Sequence, residues 1–181
     1  DHAWLPPQRI DEFVKLAFEI VPKRYPRLDS PDYTSIIDER SFDRLVHALE
    51  DARARGATLV QLVPGPAHDR STRKIAPHIV LNAPDDSLLM QREIFGPILP
   101  LRGYDNVDAV IARINAGPRP LAVYPFSHDG AKVQQVLDHV MSGGVTVNDA
   151  LFHVGQHDLP FGGIGDSGMG HYHGHEGFVT F

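Results

Sequence analysis

The apolar residues of this chain recur with two different spacings along its length. A spacing of three or four residues, which is typical of one face of a helix, occurs in residues 9–21, 42–52, 106–116 and 130–141. Short apolar runs, which are typical of strands, occur in residues 2–5, 58–63, 79–81, 98–104, 121–125 and 144–147. Because helices and short strands alternate, the pattern predicts an α/β fold with a largely parallel sheet and crossover helices.

The ends of these elements carry local signals. Asp38 or Ser41 can cap the start of the second helix, and Gly56 is a natural stop beyond its end. From Asn148 onward both spacings disappear, and Gly and His dominate the sequence. We therefore expect a single domain in which residues 1–147 form an α/β core and residues 148–181 form a glycine- and histidine-rich loop tail.

Composition narrows the classes of protein to which this chain can belong. With 181 residues, of which 42% are hydrophobic, the chain is long enough for one substantial core. Its net charge of −6 and its interspersed acidic and basic residues offer no basic stripe to nucleic acid or to anionic lipid. No apolar run approaches the roughly 20 residues that span a bilayer. We expect a soluble, cytoplasmic protein that binds neither nucleic acid nor a membrane.

The chain contains no cysteine, which excludes a disulfide scaffold, cysteine-ligated zinc and a thiol nucleophile within these residues. Its first four residues include neither an initiator Met nor the basic and then apolar pattern of a signal peptide. Such a start is typical of an internal fragment or of a processed end.

A glycine-rich run at residues 161–170 matches two short enzyme motifs. Gly163, Gly165 and Gly168 form a literal GxGxxG, but a dinucleotide-binding loop needs a strand before it and a helix after it, and no amphipathic helical period follows. Residues 165–168 read GDSG, like the nucleophile loop of trypsin-like proteases, but those enzymes are all-β and usually disulfide-bonded. We favour a glycine loop that permits close backbone approach.

Five histidines crowd the end of the chain, namely His153, His157, His171, His173 and His175. A histidine-rich tract can bind Zn or Ni, which would make this part of the chain a metal-binding module. Neither an HEXXH motif nor a Cys/His finger is present, and no Asp or Glu is clearly placed as a third ligand. We therefore predict solvated or hydrogen-bonded loop histidines and no metal.

Residues 93–97, EIFGP, place a carboxylate and an aromatic ring on either side of an apolar residue, just before a Gly-Pro turn and a strand. The carboxylate of Glu93 can accept hydrogen bonds from a ribose diol, and the ring of Phe95 can stack against a flat cofactor ring. On these residues alone we favour the simpler alternative, a surface Glu beside a core Phe.

Three stretches resemble the aldehyde dehydrogenase family in their order and spacing. They are residues 93–97 (EIFGP), 142–149 (SGGVTVND) and 159–170 (LPFGGIGDSGMG). The predicted helices and strands between them follow the catalytic domain of that family, so the resemblance covers essentially the whole chain. The end of the chain, residues 171–174 (HYHG) and 178–181 (FVTF), is similar to the class 3 branch and to bacterial coniferyl aldehyde dehydrogenases.

The resemblance implies an enzyme that oxidises an aldehyde with NAD or NADP. In this family a cysteine thiolate attacks the aldehyde, hydride passes to the nicotinamide, and water hydrolyses the thioester to release the acid. Glu93 would bind the nicotinamide ribose hydroxyls, and Phe95 would contact the nicotinamide region. These two residues are the cofactor-binding residues that we expect in this chain.

The resemblance also assigns residues to the aldehyde site. Near the aldehyde tunnel would lie Asn148, Phe152, His153 and Val154, and the glycine run at residues 161–170 would shape the wall behind it. The substrate would be a small-molecule aldehyde, such as coniferyl or another aromatic aldehyde. The full-length protein would be a homodimer or a higher homo-oligomer, and the isolated chain would expose apolar surface.

This sequence departs from the family's pattern in two ways. It contains no cysteine and no Rossmann fingerprint in its proper context, both of which the family carries upstream. The resemblance therefore implies a truncated chain whose nucleophilic Cys lies a few residues before Asp1, and the chain alone would be inactive. The alternative is a non-catalytic binding or assembly protein built on the same domain.

Overall fold

A four-stranded sheet forms the centre of Asp1–Asp105, the first of two units in the computed structural model, which describes all 181 residues. The strands of this unit are β1 (Ala3–Leu5), β2 (Thr58–Gln61), β3 (His68–Asp69), β4 (Lys74–Ile75), β5 (His78–Leu81) and β6 (Ile98–Gly103). The order in the sheet is β1-β6-β5-β2, with β1 and β5 parallel to β6 and with β2 antiparallel to β5. This confirms the predicted largely parallel α/β sheet, with one antiparallel strand at its edge. β3 and β4 pair as a separate hairpin, where the apolar pattern predicts no strand.

Helices pack against both faces of this sheet. They are α1 (Ile10–Arg24), which follows a 3-10 turn at Pro7–Arg9, α2 (Glu39–Ala54) and the short α3 (Leu88–Gln91). Neighbouring residues of β5 point to opposite faces: Val80 packs in the cluster formed by α2, whereas Ile79 packs with the apolar side chains of α1. The chain passes from β5 through α3 to the parallel β6, which is a crossover connection of the predicted kind.

The two ends of α2 agree with the local signals in the sequence. Oδ1 of Asp38 accepts a hydrogen bond from the backbone N–H of Ser41 at 2.7 Å, so Asp38 and not Ser41 is the cap. Gly56, just beyond the helix, has a φ of +93°, a conformation that glycine adopts without steric cost. These two signals set where α2 begins and ends. The helix contributes to the candidate site described below.

The second unit, Asn106–Phe181, is built from short elements. They are α4 (Val107–Ala116), β7 (Ala122–Val123), α5 (Gly130–His139), β8 (Gly144–Val145) and α6 (Gly174–Thr180). β7 and β8 pair in parallel, and α5 connects them, but both strands are shorter than the apolar runs predict. Side chains of Asn106 and Asp129 cap α4 and α5. No helix in the chain combines the length and the apolar character that crossing a membrane requires.

The tail is not a loop throughout, which corrects the expectation for residues 148–181. Phe161 and Tyr172 form an antiparallel bridge through two backbone hydrogen bonds of 2.8 and 2.9 Å, and α6 follows it. α6 has seven residues and buries none of them, so its sequence carries no amphipathic period. The tail lies in the same unit as residues 106–147. The assignment of residues 1–147 and 148–181 to a single domain stays a prediction.

Candidate active site

The expected cofactor residues lie between α3 and β6, in a short segment, residues 93–95. Ile94 is 2% exposed and packs in the core cluster beside α2, whereas Glu93 is exposed and the ring of Phe95 is 73% exposed. The middle side chain therefore anchors segment 93–95, and the two flanking side chains face solvent. The alternative of a surface Glu beside a core Phe is wrong for Phe95, because a ring this exposed contributes little to a core.

The backbone of segment 93–95 has an unusual conformation. Phe95 has a φ of +48°, in the left-handed region that costs a residue with a side chain about 1–2 kcal/mol. The next residue, Gly96, passes close to α2: a Cβ added there would lie 2.6 Å from Cδ1 of Leu45, which is fully buried. Such strain persists only where surrounding contacts enforce it, and it clusters at ligand sites.

Two charged side chains hold the backbone of segment 93–95. From α2, the guanidinium of Arg44 donates to the carbonyl oxygens of Glu93 (Nη1, 3.2 Å) and Ile94 (Nη2, 2.7 Å). Oδ2 of Asp1 accepts from the backbone N–H groups of Ile94 (2.8 Å) and Phe95 (3.2 Å). The sequence patterns single out neither residue. One sequence feature could have pointed to Arg44: it is a charged residue beside the apolar face of α2.

The charges around this segment influence one another. Burial lowers the pKa of the Arg44 guanidinium, the positive charge of Arg92 lowers it further, and the negative charge of Glu93 opposes both. Glu93 therefore lies within electrostatic range of the guanidinium that holds its own carbonyl oxygen.

The residues predicted to lie near the aldehyde tunnel are in the second unit, where they belong to one loop. Asn148 has a φ of +57°, and its side chain bridges to Ser127: Oδ1 accepts from the N–H at 2.8 Å, and Nδ2 donates to the carbonyl oxygen at 3.1 Å. Phe152 is 63% exposed, and Val154 is half-buried. Asn148 thus fixes the start of the loop, and Phe152 is the predicted residue that is most available to a ligand.

His153 points into the second unit and not toward solvent. It is 9% exposed, its Nδ1 lies 2.9 Å from Oγ1 of Thr146, and its ring lies 5.9 Å from the rings of Tyr124 and Phe161. Its Nε2 is buried and has no hydrogen-bond partner. This position favours a role for His153 in supporting the loop over direct contact with a substrate.

The glycine-rich run at residues 161–170 has the geometry of close backbone packing, in agreement with the favoured interpretation. A Cβ added to Gly163 would lie 2.2 Å from the carbonyl oxygen of Ser167. The GxGxxG motif spans a 3-10 turn, Gly165–Ser167, and does not lead directly into an α-helix. The hydroxyl of Ser167 is bonded to the backbone of Ile164 at 2.9 and 3.0 Å, so it is not placed as a nucleophile.

Three of the five histidines near the end of the chain, His153, His157 and His173, make ring contacts with other aromatic or histidine side chains. His157 and His173 lie 5.7 Å apart, edge to face, and His173 stacks on Phe161 at 6.2 Å. No group of three or more His, Cys, Asp or Glu side chains is arranged to hold a metal ion. The metal-binding alternative therefore finds no support in the geometry.

The largely parallel sheet and its crossover helices define an α/β fold. A model of the aldehyde dehydrogenase family matches residues 6–181. The chain belongs to the aldehyde dehydrogenase family.

The chain is also similar to individual members of the family. It is 50% identical to a probable coniferyl aldehyde dehydrogenase of Pseudomonas aeruginosa, over 100% of this chain and 37% of that protein. It is 45% identical to aldehyde dehydrogenase family 3 member A2 of Rattus norvegicus, over 84% of this chain and 30% of that protein. The fold superimposes on a substrate-bound AldH of Staphylococcus aureus with a TM-score of 0.91 and 36% identity, over 100% of this chain and 39% of that one. The predicted resemblance to class 3 and coniferyl aldehyde dehydrogenases is confirmed.

Proposed function

We propose that residues 1–181 are the part of an NAD(P)-dependent aldehyde dehydrogenase that contacts the nicotinamide ribose and forms one wall of the aldehyde site. The observation that carries this proposal is the arrangement of segment 93–95, where a buried Ile94 and four polar contacts hold Glu93 and Phe95 outward. The chain spans 37% and 39% of the length of two of its relatives. The proposed activity is therefore that of the whole protein, meaning the longer chain to which these residues belong.

The side chains of segment 93–95 fit the ribose and the ring of a nicotinamide nucleotide. The exposed carboxylate of Glu93 can accept hydrogen bonds from both hydroxyls of a ribose. The exposed ring of Phe95 offers an apolar face beside that carboxylate. When bound, the nucleotide takes up the hydride that leaves the aldehyde carbon. The proposal covers both NAD and NADP, because the residue that reads the adenosine ribose would belong to a Rossmann domain outside residues 1–181.

The chemistry also needs a thiol, which residues 1–181 do not contain. Our proposal places it in residues that precede Asp1 in the whole protein. The contacts of Asp1 support this, because its carboxylate is bonded to the backbone of Ile94 and Phe95, and a chain that enters at Asp1 passes beside the proposed nucleotide contacts. We therefore expect the isolated chain to have no dehydrogenase activity.

The substrate class that we propose is an aromatic aldehyde, such as coniferyl aldehyde, which is oxidised to the acid. Support comes from the 50% identity to a probable coniferyl aldehyde dehydrogenase and from the exposed ring of Phe152, which can stack on an aromatic aldehyde. Asn148, His153 and Val154 would support the loop that carries this ring. The whole protein would be a cytoplasmic homodimer or higher homo-oligomer, in which exposed apolar side chains such as Phe178 are covered.

Steady-state kinetics of the whole protein test this function. We expect it to reduce NAD or NADP when coniferyl aldehyde or benzaldehyde is supplied. Glu93→Gln removes the charge that accepts the ribose hydroxyls, and the KM for the nucleotide should rise about 10-fold, because hydrogen bonds to charged groups contribute about 1.5–3 kcal/mol. The matched control is Glu19→Gln, at an exposed carboxylate of α1, which should leave that KM unchanged.

Two results would contradict the proposal. One is the absence of any aldehyde-dependent reduction of NAD or NADP by the whole protein, which is what a non-catalytic binding or assembly protein predicts. The other is an equal nucleotide KM in wild type and in the Glu93→Gln variant, which would remove segment 93–95 from the nucleotide site.

A further inference from the structure

We infer that Arg44 is a positioning residue for nucleotide binding: its guanidinium holds the backbone of segment 93–95 so that Glu93 and Phe95 face the cofactor. The inference rests on the proposed function of Glu93 and Phe95. The inference identifies the residue that sets the geometry of Glu93 and Phe95. This residue, Arg44, is about 50 positions away from them in the sequence.

Segment 93–95 has no backbone partner of its own. No backbone–backbone hydrogen bond involves Glu93, Ile94 or Phe95, and the nearest ones involve Gly96 and Pro97. Phe95 adopts a φ of +48°, a backbone conformation that is unfavourable for a residue with a bulky side chain. The carbonyl and N–H groups of this segment therefore depend on side chains from elsewhere in the chain.

Arg44 is suited to hold two successive carbonyl groups. Its two Nη atoms reach the oxygens of Glu93 and Ile94 at 3.2 and 2.7 Å, a fork that a single ammonium group does not reproduce. The next residue, Leu45, is fully buried and lies directly against Gly96. α2 thus holds this stretch at two adjacent points, one polar and one apolar.

Asp1 supports the N–H groups of the same backbone. Its Oδ2 accepts from Ile94 and from Phe95 at 2.8 and 3.2 Å. With carbonyl and N–H groups both occupied, the segment is ordered before a ligand binds, and less entropy is lost on binding. Removal of the Arg44 fork would leave Glu93 and Phe95 with their own chemistry but without their fixed geometry.

Nucleotide binding to the whole protein tests this inference. The probes are NADH and NADPH, titrated by fluorescence. Arg44→Met keeps the aliphatic stem and removes the fork, so we expect the Kd for the preferred nucleotide to rise about 10-fold. Arg44→Lys should recover part of this loss. The matched control is Arg40→Met, at an exposed arginine of the same helix, which should bind the nucleotide like wild type.

Two further measurements separate positioning from general stability. In the Arg44→Met variant, hydrogen exchange should become faster at the amides of Ile94 and Phe95, and kcat at saturating nucleotide should fall less than nucleotide affinity. In the double variant with Glu93→Gln, the loss of affinity should be smaller than the product of the two single losses, because Arg44 acts through Glu93.

The outcomes distinguish this inference from the proposed function. If the Arg44→Met variant binds the nucleotide like wild type while the Glu93→Gln variant is impaired, or if the two losses multiply fully, the inference is overturned and the proposed function stands. If the Glu93→Gln variant also binds like wild type, the proposed function fails and the inference fails with it. If the Arg44→Met variant does not fold, the Arg44→Lys variant replaces it in the same titration, alone and combined with Glu93→Gln, and the same outcomes apply.

Discussion

The two sets of proposed site residues are held in place in different ways. Segment 93–95 is fixed by side chains far away in the sequence, Arg44 and Asp1, and by the burial of its middle residue. The loop that begins at Asn148 is fixed by polar contacts between residues closer along the chain, chiefly those of Asn148 with Ser127. The contacts of Asn148 with Ser127 span 21 positions in the sequence, whereas those that hold segment 93–95 span 49 to 94 positions and join elements across the first unit.

The two units also differ in how many apolar side chains they bury. The first unit contains nearly all the buried apolar side chains of the chain, whereas in the second only Ile111 and Val140 are buried. The second unit also exposes large apolar side chains, among them Phe126, Leu151 and Phe178. Because apolar burial is the dominant favourable contribution to folding, we expect the first unit to respond most to core substitutions and the second to backbone and polar ones.

Leu45→Ala should have the largest effect, because it removes core packing beneath segment 93–95. The side chain is fully buried in the cluster around α2 and lies against Gly96. We expect the free energy of unfolding of the whole protein, measured with urea, to fall by about 2–5 kcal/mol. Leu16→Ala, on α1 at a position that is 45% exposed, is the control and should cost less than about 1 kcal/mol. Equal losses in the two variants would show that the core beneath segment 93–95 does not dominate the stability of the first unit.

Gly163→Ala tests whether the second unit depends on close backbone approach. The added Cβ would lie 2.2 Å from the carbonyl oxygen of Ser167 and 2.3 Å from its carbon, and these backbone atoms move only if the loop shifts. We expect a loss of about 1–3 kcal/mol, measured by thermal unfolding. Gly155→Ala is the control, because the nearest atom to its Cβ would lie 3.8 Å away. If the two variants are equally stable, the glycine run is not needed for packing.

The apolar pattern of the sequence predicts the first unit better than the second. Helical spacing at residues 42–52 and apolar runs at 79–81 and 98–104 correspond to α2, β5 and β6, because these elements bury side chains in a core and burial leaves a period. The two-residue strands β3 and β4 are too short to show a period, and α6 buries none of its residues. Short elements with little burial therefore escape a sequence-based prediction.

For the site, the sequence singles out the proposed cofactor residues but not the contacts that hold them. Glu93 and Phe95 lie in a motif that resembles one family, so they can be singled out without a structure. Arg44 and Asp1 cannot, because their roles arise from contacts between residues 49 to 94 positions apart, and such contacts leave no period in one sequence. The exposure of Phe95 also needed the structure, because the pattern alone favoured a core ring.

Asn148→Ala tests the polar contacts of the loop that begins at Asn148 and should have a smaller effect than Gly163→Ala. It removes the two bonds to Ser127 and leaves a Cβ at a φ of +57°, so we expect a loss of about 1–2 kcal/mol. The KM for the aldehyde should rise while the KM for the nucleotide stays unchanged. Asn148→Gly is the control, because glycine tolerates the same φ and should recover the backbone part of the loss. An unchanged KM for the aldehyde would separate this loop from the aldehyde site.

The smallest expected effect is a pH dependence of the free energy of unfolding that is due to His78, in the first unit. His78 begins β5, is 4% exposed, and donates from Nδ1 to the carbonyl oxygen of Ala76 at 2.6 Å. Burial lowers the pKa of His78, that hydrogen bond opposes the shift, and the charges of Arg53 and His68 add to it. The unfolded chain therefore binds a proton on this imidazole more readily than the folded chain does.

The sign of the pH effect follows from that difference. The stability associated with a neutral His78 is fully present above about pH 6.5 and declines as the pH falls through the lower pKa of the folded state. Between about pH 7.5 and pH 5.5, we expect the protonation of His78 to lower the free energy of unfolding by no more than about 1.4 kcal/mol, the limit for one proton and an unfolded pKa of about 6.5. His78→Gln should remove that part of the decline, whereas His139→Gln, at an exposed histidine of the second unit, should retain it. If the free energy of unfolding declines equally in wild type and in the His78→Gln variant, the pH dependence comes from other groups and not from His78.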